Sequence, residues 1–381
     1  MRLGVLIDRF DARRGGAEAH TDALLRRALE TGDTAALACV EGAPPPGVDL
    51  VRVAAGSGSR AVRDRAFAEA GPKALRDAGC DVVFAVRHAL ACDVYLPHGG
   101  LVLDALAAHD ASTPSSALSR WWARRSGKRA FFLEAERALL APREGPRVVA
   151  VSQGLAARIA AIYPGAKPRT TVVPNGVDAD RFDPAPFREG RGATRRALGI
   201  PEDAYVGLHL AHAPWLKGLL AVLEAMARPE AARLSPAFHL VVAGRRAGGD
   251  VRRRARRLGV GARVHPAGEA EDPRPLYAAA DVLVHPTFHD PCSLVTLEAL
   301  SMAVPVVTTP QNGAWELMGM RGGIAVSGPT DAEGVATALA VLSDPRLRAE
   351  TADDARYVAK KNRLATRLDA VLAVARSARR T

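Results

Sequence analysis

Asp290, Cys292, Ser293, Leu294 and Glu298 stand in one short stretch, DPCSLVTLE, in an order that suits a phosphorylated ligand. An apolar run at 282–285 precedes the stretch and another at 304–307 follows it, with Leu294, Leu297 and Leu300 at helical spacing between. Strand, loop, helix and strand in that order, with the strands apolar on both faces, belong to a buried parallel sheet, and such sheets hold ligands beyond the carboxyl ends of their strands. The loop 288–293 is therefore expected at a ligand site. The backbone amides near Cys292, Ser293 and Leu294 fall in the first turn of the helix, where they lack intrahelical acceptors and meet the positive end of its dipole. They would hold a phosphate. Glu298 comes about five residues into the helix, roughly 7 Å further along at ~1.5 Å per residue, which is the reach from a nucleotide's diphosphate to its ribose. A carboxylate there suits two ribose hydroxyls, and Asp290 would accept hydrogen bonds from whatever the phosphate carries. Taken singly, the two carboxylates read more readily as a solvated loop Asp and an ordinary helix Glu.

The complete pattern is more specific. An acidic residue, seven residues, Glu298, then Ala299-Leu300, four residues and Pro305-Val306-Val307-Thr308-Thr309 closely resembles the donor-site signature of family 4 of the retaining glycosyltransferases, which have the GT-B fold. In that family the first acidic residue is usually Glu and touches the donor sugar, while the second binds the ribose. Asp290 is one methylene shorter. The variant Asp-Pro-Cys-Ser-Leu looks like that of bacterial lipopolysaccharide glycosyltransferases.

Other strings extend the resemblance. Val172-Val173-Pro174-Asn175-Gly176-Val177-Asp178, with Phe182 four residues on, resembles the family's hinge-proximal signature and marks the entry to a second domain. Lys217 before Gly218 matches the lysine that clamps the donor diphosphate, whereas His212 stands where an arginine is expected, so a permanent charge has become a titratable one. Gly268 ends a string similar to the base-contacting loop, and Glu316 fits a recurring acidic position. Gly15 and Gly16, at a strand-to-helix turn, match the glycine-rich first loop, and two glycines there permit close backbone approach to a ligand. His98, before Gly99 and Gly100, resembles a cleft-facing histidine of the family, although a lone histidine is more often structural.

The elements that must position these residues alternate strand and helix along the chain. Strands are expected at 3–7, 35–40, 50–53, 82–85, 148–151, 205–211, 239–243 and 263–265, with a loop at 184–192 and helices closing the chain at 331–342 and 346–379. The expected architecture is α/β, of GT-B type, with two Rossmann-like domains facing across a cleft. Residues 1–170 would form the acceptor-binding domain, onto which the last helix, 358–381, packs back, and 171–357 the donor-binding domain.

Length and composition agree. The 381 residues suffice for two cores, and an apolar content of 48% with 24% charged residues is that of a globular protein. No apolar run reaches the ~20 residues that span a bilayer. The four cysteines, Cys39, Cys80, Cys92 and Cys292, show no metal-type spacing and point to a reducing cytoplasm. A net charge of +11 suits nucleic acid, an anionic membrane or an anionic substrate, or simply an arginine-rich background. Segment 118–143 joins Trp121, Trp122, Phe131 and Phe132 to many basic residues, which fits either a peripheral membrane surface or a helix whose rings face the core.

The expected function is retaining transfer of a hexose from a nucleoside diphosphate sugar, a UDP-sugar first, to a glycan or lipid-linked acceptor in lipopolysaccharide or cell-envelope polysaccharide synthesis. The enzyme would be cytoplasmic, on the inner face of the membrane if 118–143 binds lipid. Asp290, His98 and Lys217 are the candidate catalytic residues. The resemblance implies no metal and no cofactor beyond the donor substrate. Alternatives are a nucleotide-sugar epimerase of the same fold and a basic nucleic-acid-binding protein, the latter leaving the donor signature unexplained.

Overall fold

The computed structural model describes the chain except for residues 12–14, 55, 113–125, 233, 235–236 and 380–381, and at 231–232 the backbone alone. It divides into two compact units. As far as they are described, Met1–Asp110, Pro114–Pro174 and Ala365–Thr381 form the first, and Asn175–Leu364 with 111–113 the second. The divisions fall a few residues beyond those read from sequence. Thr170–Val172 is the last strand of the first sheet, and the Leu364 amide still bonds to the Val177 carbonyl of the second unit, at 2.9 Å.

The first unit is built on a seven-stranded parallel sheet of β1 (Arg2–Leu6), β2 (Thr34–Cys39), β3 (Asp49–Arg52), β4 (Val82–Ala85), β5 (Val94–Tyr95), β6 (Arg147–Ala150) and β7 (Thr170–Val172). Its order is β3-β2-β1-β4-β5-β6-β7, so the chain first winds outward from β1 in one direction and then resumes on its other side at β4. The central strands are continuous apolar runs, because helices cover both faces; Leu3, Val5, Val82 and Phe84 are fully buried.

The second unit repeats the scheme with six parallel strands: β8 (Tyr205–Leu210), β9 (Phe238–Ala243), β10 (Val264–Gly268), β11 (Val282–His285), β12 (Val306–Thr308) and β13 (Gly323–Ala325). Their order is β10-β9-β8-β11-β12-β13, which reverses direction between β8 and β11. Leu219, Val222, Phe238, Val282, Val307 and Leu339 belong to the core that joins this sheet to its helices. In open α/β sheets the crevice at such a reversal, beyond the strands' carboxyl ends, is where ligands bind. The β1/β4 and β8/β11 reversals therefore locate one candidate crevice in each unit.

Two expectations are revised, and a third falls partly outside the described residues. The closing segment 346–379 is two helices, Pro345–Lys361 and Leu364–Ser377, because Asn362 and Arg363 leave the helix to pair with Val177. Residues 184–192 are not a plain loop but hold the 3-10 turn Ala185–Phe187 and the start of helix Arg191–Ala197. In segment 118–143, Trp121 and Trp122 with Arg120, Arg124 and Arg125 lie outside the described residues. The described part is the helix Gly127–Leu140, whose Phe131 packs on Ala68 and Ala135. Phe132, half-buried, stacks on His88 with ring centroids 3.7 Å apart, so Phe131 serves the unit's interior and Phe132 its margin.

Candidate functional site

The β8/β11 crevice is assembled by a loop that the surrounding backbone pins down. After His285 closes β11, the Phe288 amide donates to the Leu216 carbonyl at 3.0 Å and the Asp290 amide to the Gln311 carbonyl at 3.1 Å; the Gly313 amide returns a bond to the Asp290 carbonyl at 2.8 Å. Asn312 is fully buried and acts as the clasp: its Oδ1 accepts the amides of Ser293 (3.2 Å) and Ala314 (3.1 Å), while Nδ2 is within hydrogen-bond distance of Thr296 Oγ1 (2.9 Å) and Thr308 Oγ1 (3.1 Å). Asn175 adds a bond to the Cys292 carbonyl at 2.7 Å. Helix Leu294–Ser301 then begins, with Ser293 as its N-cap accepting the Thr296 amide at 3.3 Å.

The charged centre sits on this frame. Lys217 Nζ lies 2.7 Å from Asp290 Oδ2 and donates to the His289 carbonyl at 2.9 Å, and both side chains are largely but not wholly covered. The next residue, Gly218, has φ +80, and a Cβ there would meet the Pro286 carbonyl oxygen at 2.0 Å, so only glycine lets the lysine's turn press against the β11 loop. Burial alone would raise the Asp290 carboxyl, but Lys217 and, behind it, His285 outweigh burial and hold it well below the usual carboxylate range. One turn and more along the helix, Glu298 Oε2 accepts the Tyr277 hydroxyl at 2.8 Å. Burial pushes the Glu298 carboxyl up to about 7, against the opposing pull of Tyr277 and Arg181.

The second unit thus brings together Lys217, Asp290, Cys292, Ser293, Leu294 and Glu298 on the loop and helix that follow β8 and β11. His212 lies on the same rim, exposed at the end of β8, and Gly268 ends β10, two strands away beyond β9, with φ +73 and accepts the Gly244 amide. One detail is corrected: of the three amides expected to hold a phosphate, that of Ser293 is committed inward to Asn312. The positive end of the helix is then offered at Leu294 and Val295, since Ser293 takes the amides of Thr296 and Leu297. The one Asp-x-Asp string, Asp178-Ala179-Asp180, does not resemble a metal site here. Asp178 accepts the amides of Asp180 and Arg181, and Asp180 pairs with Arg363 at 3.0 Å. Among the described residues no three His, Cys, Asp or Glu side chains group so as to hold a metal ion.

Gly15, Gly16 and His98 belong to the first unit, at its own reversal. Gly15 precedes the helix Gly16–Glu30 in extended conformation, and Arg13 and Arg14 before it lie outside the described residues. A cavity of about 450 Å³ opens beyond β1 and β4, lined among others by Asp8, Arg87, His88, His98, Lys128 and Phe132. His98 stands 5.3 Å, ring to ring, from His20, whose imidazole is driven down to about 3 by burial and by His98.

Tyr277, His285 and Asn312 complete the second unit's site without having been singled out by sequence, and Asn175, read there only as part of the hinge-proximal string, joins them. The Asn312 clasp depends on four partners spread over the helix and its cap, β12 and the residues after β12, which spacing does not reveal. His285 ends a strand and reads as one more β residue.

Comparison with known proteins follows the same division. Residues 14–181 match the family described as Glycosyltransferase Family 4, and residues 204–344 match Glycosyl transferases group 1. D-inositol 3-phosphate glycosyltransferase of Geodermatophilus obscurus is 36% identical over 213 residues, which are 52% of this chain and 46% of the relative. The chain spans about half the length of the curated relatives it matches. Among solved structures, WaaG, a glycosyltransferase involved in lipopolysaccharide biosynthesis, superposes with a TM-score of 0.81 at 22% identity, over 98% of this chain and 99% of WaaG. Anabaena HepE in complex with UDP and glucose superposes with a TM-score of 0.73 at 19% identity, over 99% of each chain. These two likenesses establish the GT-B fold.

Proposed function

The chain belongs to the family 4 and group 1 glycosyltransferases of GT-B fold, and from that premise we propose that it moves a hexose from a nucleoside diphosphate sugar, with retention, onto a glycan or glycolipid acceptor. The observation that carries the reading is the arrangement at the β8/β11 reversal: a lysine on an ionised Asp290, a helix N-terminus beside them, and Glu298 further along that helix. The proposed roles follow from charge. Lys217 and the amides of Leu294 and Val295 neutralise the diphosphate, which gains negative charge as the glycosidic bond breaks, and such preorganised electrostatics are the largest expected contribution to rate. Asp290 accepts hydroxyls of the donor sugar, and Glu298 accepts two ribose hydroxyls. His98 and the first unit's cavity take the acceptor.

UDP is the preferred nucleotide of the donor, in keeping with the UDP and glucose bound to HepE. The acceptor is assigned to lipopolysaccharide or other envelope polysaccharide synthesis, in line with the likeness to WaaG, and the reaction to the cytoplasmic face of the membrane. Among the described residues no helix is long and apolar enough to cross a bilayer. Peripheral association, through Lys128, Arg129, Arg137, Arg143 and the residues before them, is tested by co-sedimentation with anionic and neutral vesicles; equal binding to both removes it. The function is tested by a thermal-shift screen of nucleoside diphosphate sugars, since a ligand that binds only the native state raises its apparent stability. Retention is read from the anomeric coupling of the product by NMR, and an inverted product overturns it.

A further inference from the structure

His285 is 1% exposed, and neither ring nitrogen has a hydrogen-bond partner. Buried polar atoms without partners are uncommon, and each asks for an explanation. Here Nε2 faces Asp290 Oδ2 at 3.6 Å, just beyond hydrogen-bond range. That same oxygen is held at 2.7 Å by Lys217 Nζ. Asp290 therefore has one partner in hand and a second in reserve.

The reserve matters when a diphosphate arrives. Lys217 would then share one positive charge between the Asp290 carboxylate and at least two phosphate charges, and Asp290 would be left in a covered site beside new negative charge. Among the described residues Lys217 is the one permanent cation within hydrogen-bond reach of Asp290. Resting on the donor-site reading above, we propose that His285 is a positioning residue of the transfer reaction: it takes over the Asp290 carboxylate when a nucleoside diphosphate draws Lys217 away, and keeps that carboxylate aimed at the donor sugar.

The geometry suits a hand-over. Closing the gap to ~2.8 Å needs a shift of about 0.8 Å, which the loop carboxylate can make more readily than the ring. The strand end that carries the imidazole is held: the His285 backbone carbonyl accepts the Thr308 hydroxyl at 2.9 Å, and the His209 ring lies beside the imidazole with centroids 6.0 Å apart. His209 itself uses Nδ1 to donate to the Val284 carbonyl at 2.8 Å, so it does not compete. The charged groups facing His285 are Asp290 and Lys217. A neutral ring with its proton on Nε2 is sufficient, and no proton has to be gained or lost.

The test uses the full chain and whichever of UDP, GDP, ADP and dTDP it binds most tightly. In histidine-15N-labelled protein, with His285 assigned by its loss in His285→Asn, saturation with that nucleotide should move the Nε2 resonance and slow exchange of its proton with water. His285→Ala should weaken nucleotide binding about tenfold in the parent but less than twofold in an Asp290→Asn background, where no charge needs holding. His285→Gln, whose amide reaches the Nε2 position, should restore most of the affinity. An unmoved His285 signal on saturation, or an equal loss in both backgrounds, overturns the hand-over while leaving the donor site standing. Absence of binding by all four nucleotides removes the donor-site reading and the hand-over with it.

Discussion

Glu298 carries the clearest conflict between stability and binding. Its folded carboxyl titrates at about 7 against an ordinary 4.5, so between those values the unfolded chain ionises there and the folded one does not. The folded state therefore loses stability as pH rises from about 4.5 to about 7, and the loss is constant above that. Glu298→Gln should thus leave the free protein unchanged at pH 4.5 and stabilise it by ~1–3 kcal/mol at pH 8, measured by thermal unfolding. The same substitution should weaken nucleotide binding, because ribose hydroxyls need the charged acceptor. In the parent, affinity should climb as pH approaches 7, and in Glu298→Gln the climb should disappear. A clamp role for His212 forecasts the opposite slope, since histidine gains charge as pH falls. If affinity instead rises on acidification, and His212→Arg flattens that rise, the histidine dominates. Lys217→Ala should cost at least tenfold in nucleotide affinity, and destabilise the protein by ~1–3 kcal/mol, because a neutral His285 ring replaces only part of the lysine's hold on the covered Asp290 carboxylate; calorimetry and denaturant unfolding read the two effects separately.

The site residues are held by elements whose sequence signals differ in kind. Strands β8, β9 and β11, and the helix after Ser293, were legible because apolar runs and the helical spacing of Leu294, Leu297 and Leu300 are local patterns. Lys217, Asp290 and Glu298 were legible through their spacing within a family signature. What stayed hidden depends on partners far apart in sequence. Asn312 looks like a loop residue until Ser293, Thr296, Thr308 and Ala314 close around it. His285 looks like a strand end until Asp290 folds back over it. The same limit explains the joined helix expected at 346–379, since its break at Asn362 is imposed by Val177, nearly two hundred residues earlier. Asn312→Ala should therefore destabilise by about 2–4 kcal/mol, because it leaves two buried amides and two hydroxyls without their partner. It should also weaken nucleotide binding by freeing the start of the helix. A variant of parental stability would mean that the clasp is dispensable.

At the scale of the whole molecule, two sheets of similar winding each present a crevice at a strand-order reversal, and the candidate residues divide between them. That division forecasts separable defects. His98→Ala and Lys128→Ala, in the first unit, should leave nucleotide affinity within twofold of the parent and lower transfer to acceptor. Lys217→Ala and Glu298→Ala, in the second, should lower both. The net charge of +11 is compatible with an anionic donor but identifies no partner, because field strength does not name its source. The claim on which all else depends is that the second unit holds a nucleoside diphosphate sugar through Lys217, Asp290 and Glu298. Isothermal titration of the full chain with UDP-glucose, and with the corresponding GDP-, ADP- and dTDP-sugars, tests it most directly. The account predicts saturable one-to-one binding of at least one of them, weakened tenfold or more by Lys217→Ala and by Glu298→Ala; binding of none, or affinity that both substitutions leave unchanged, would contradict it.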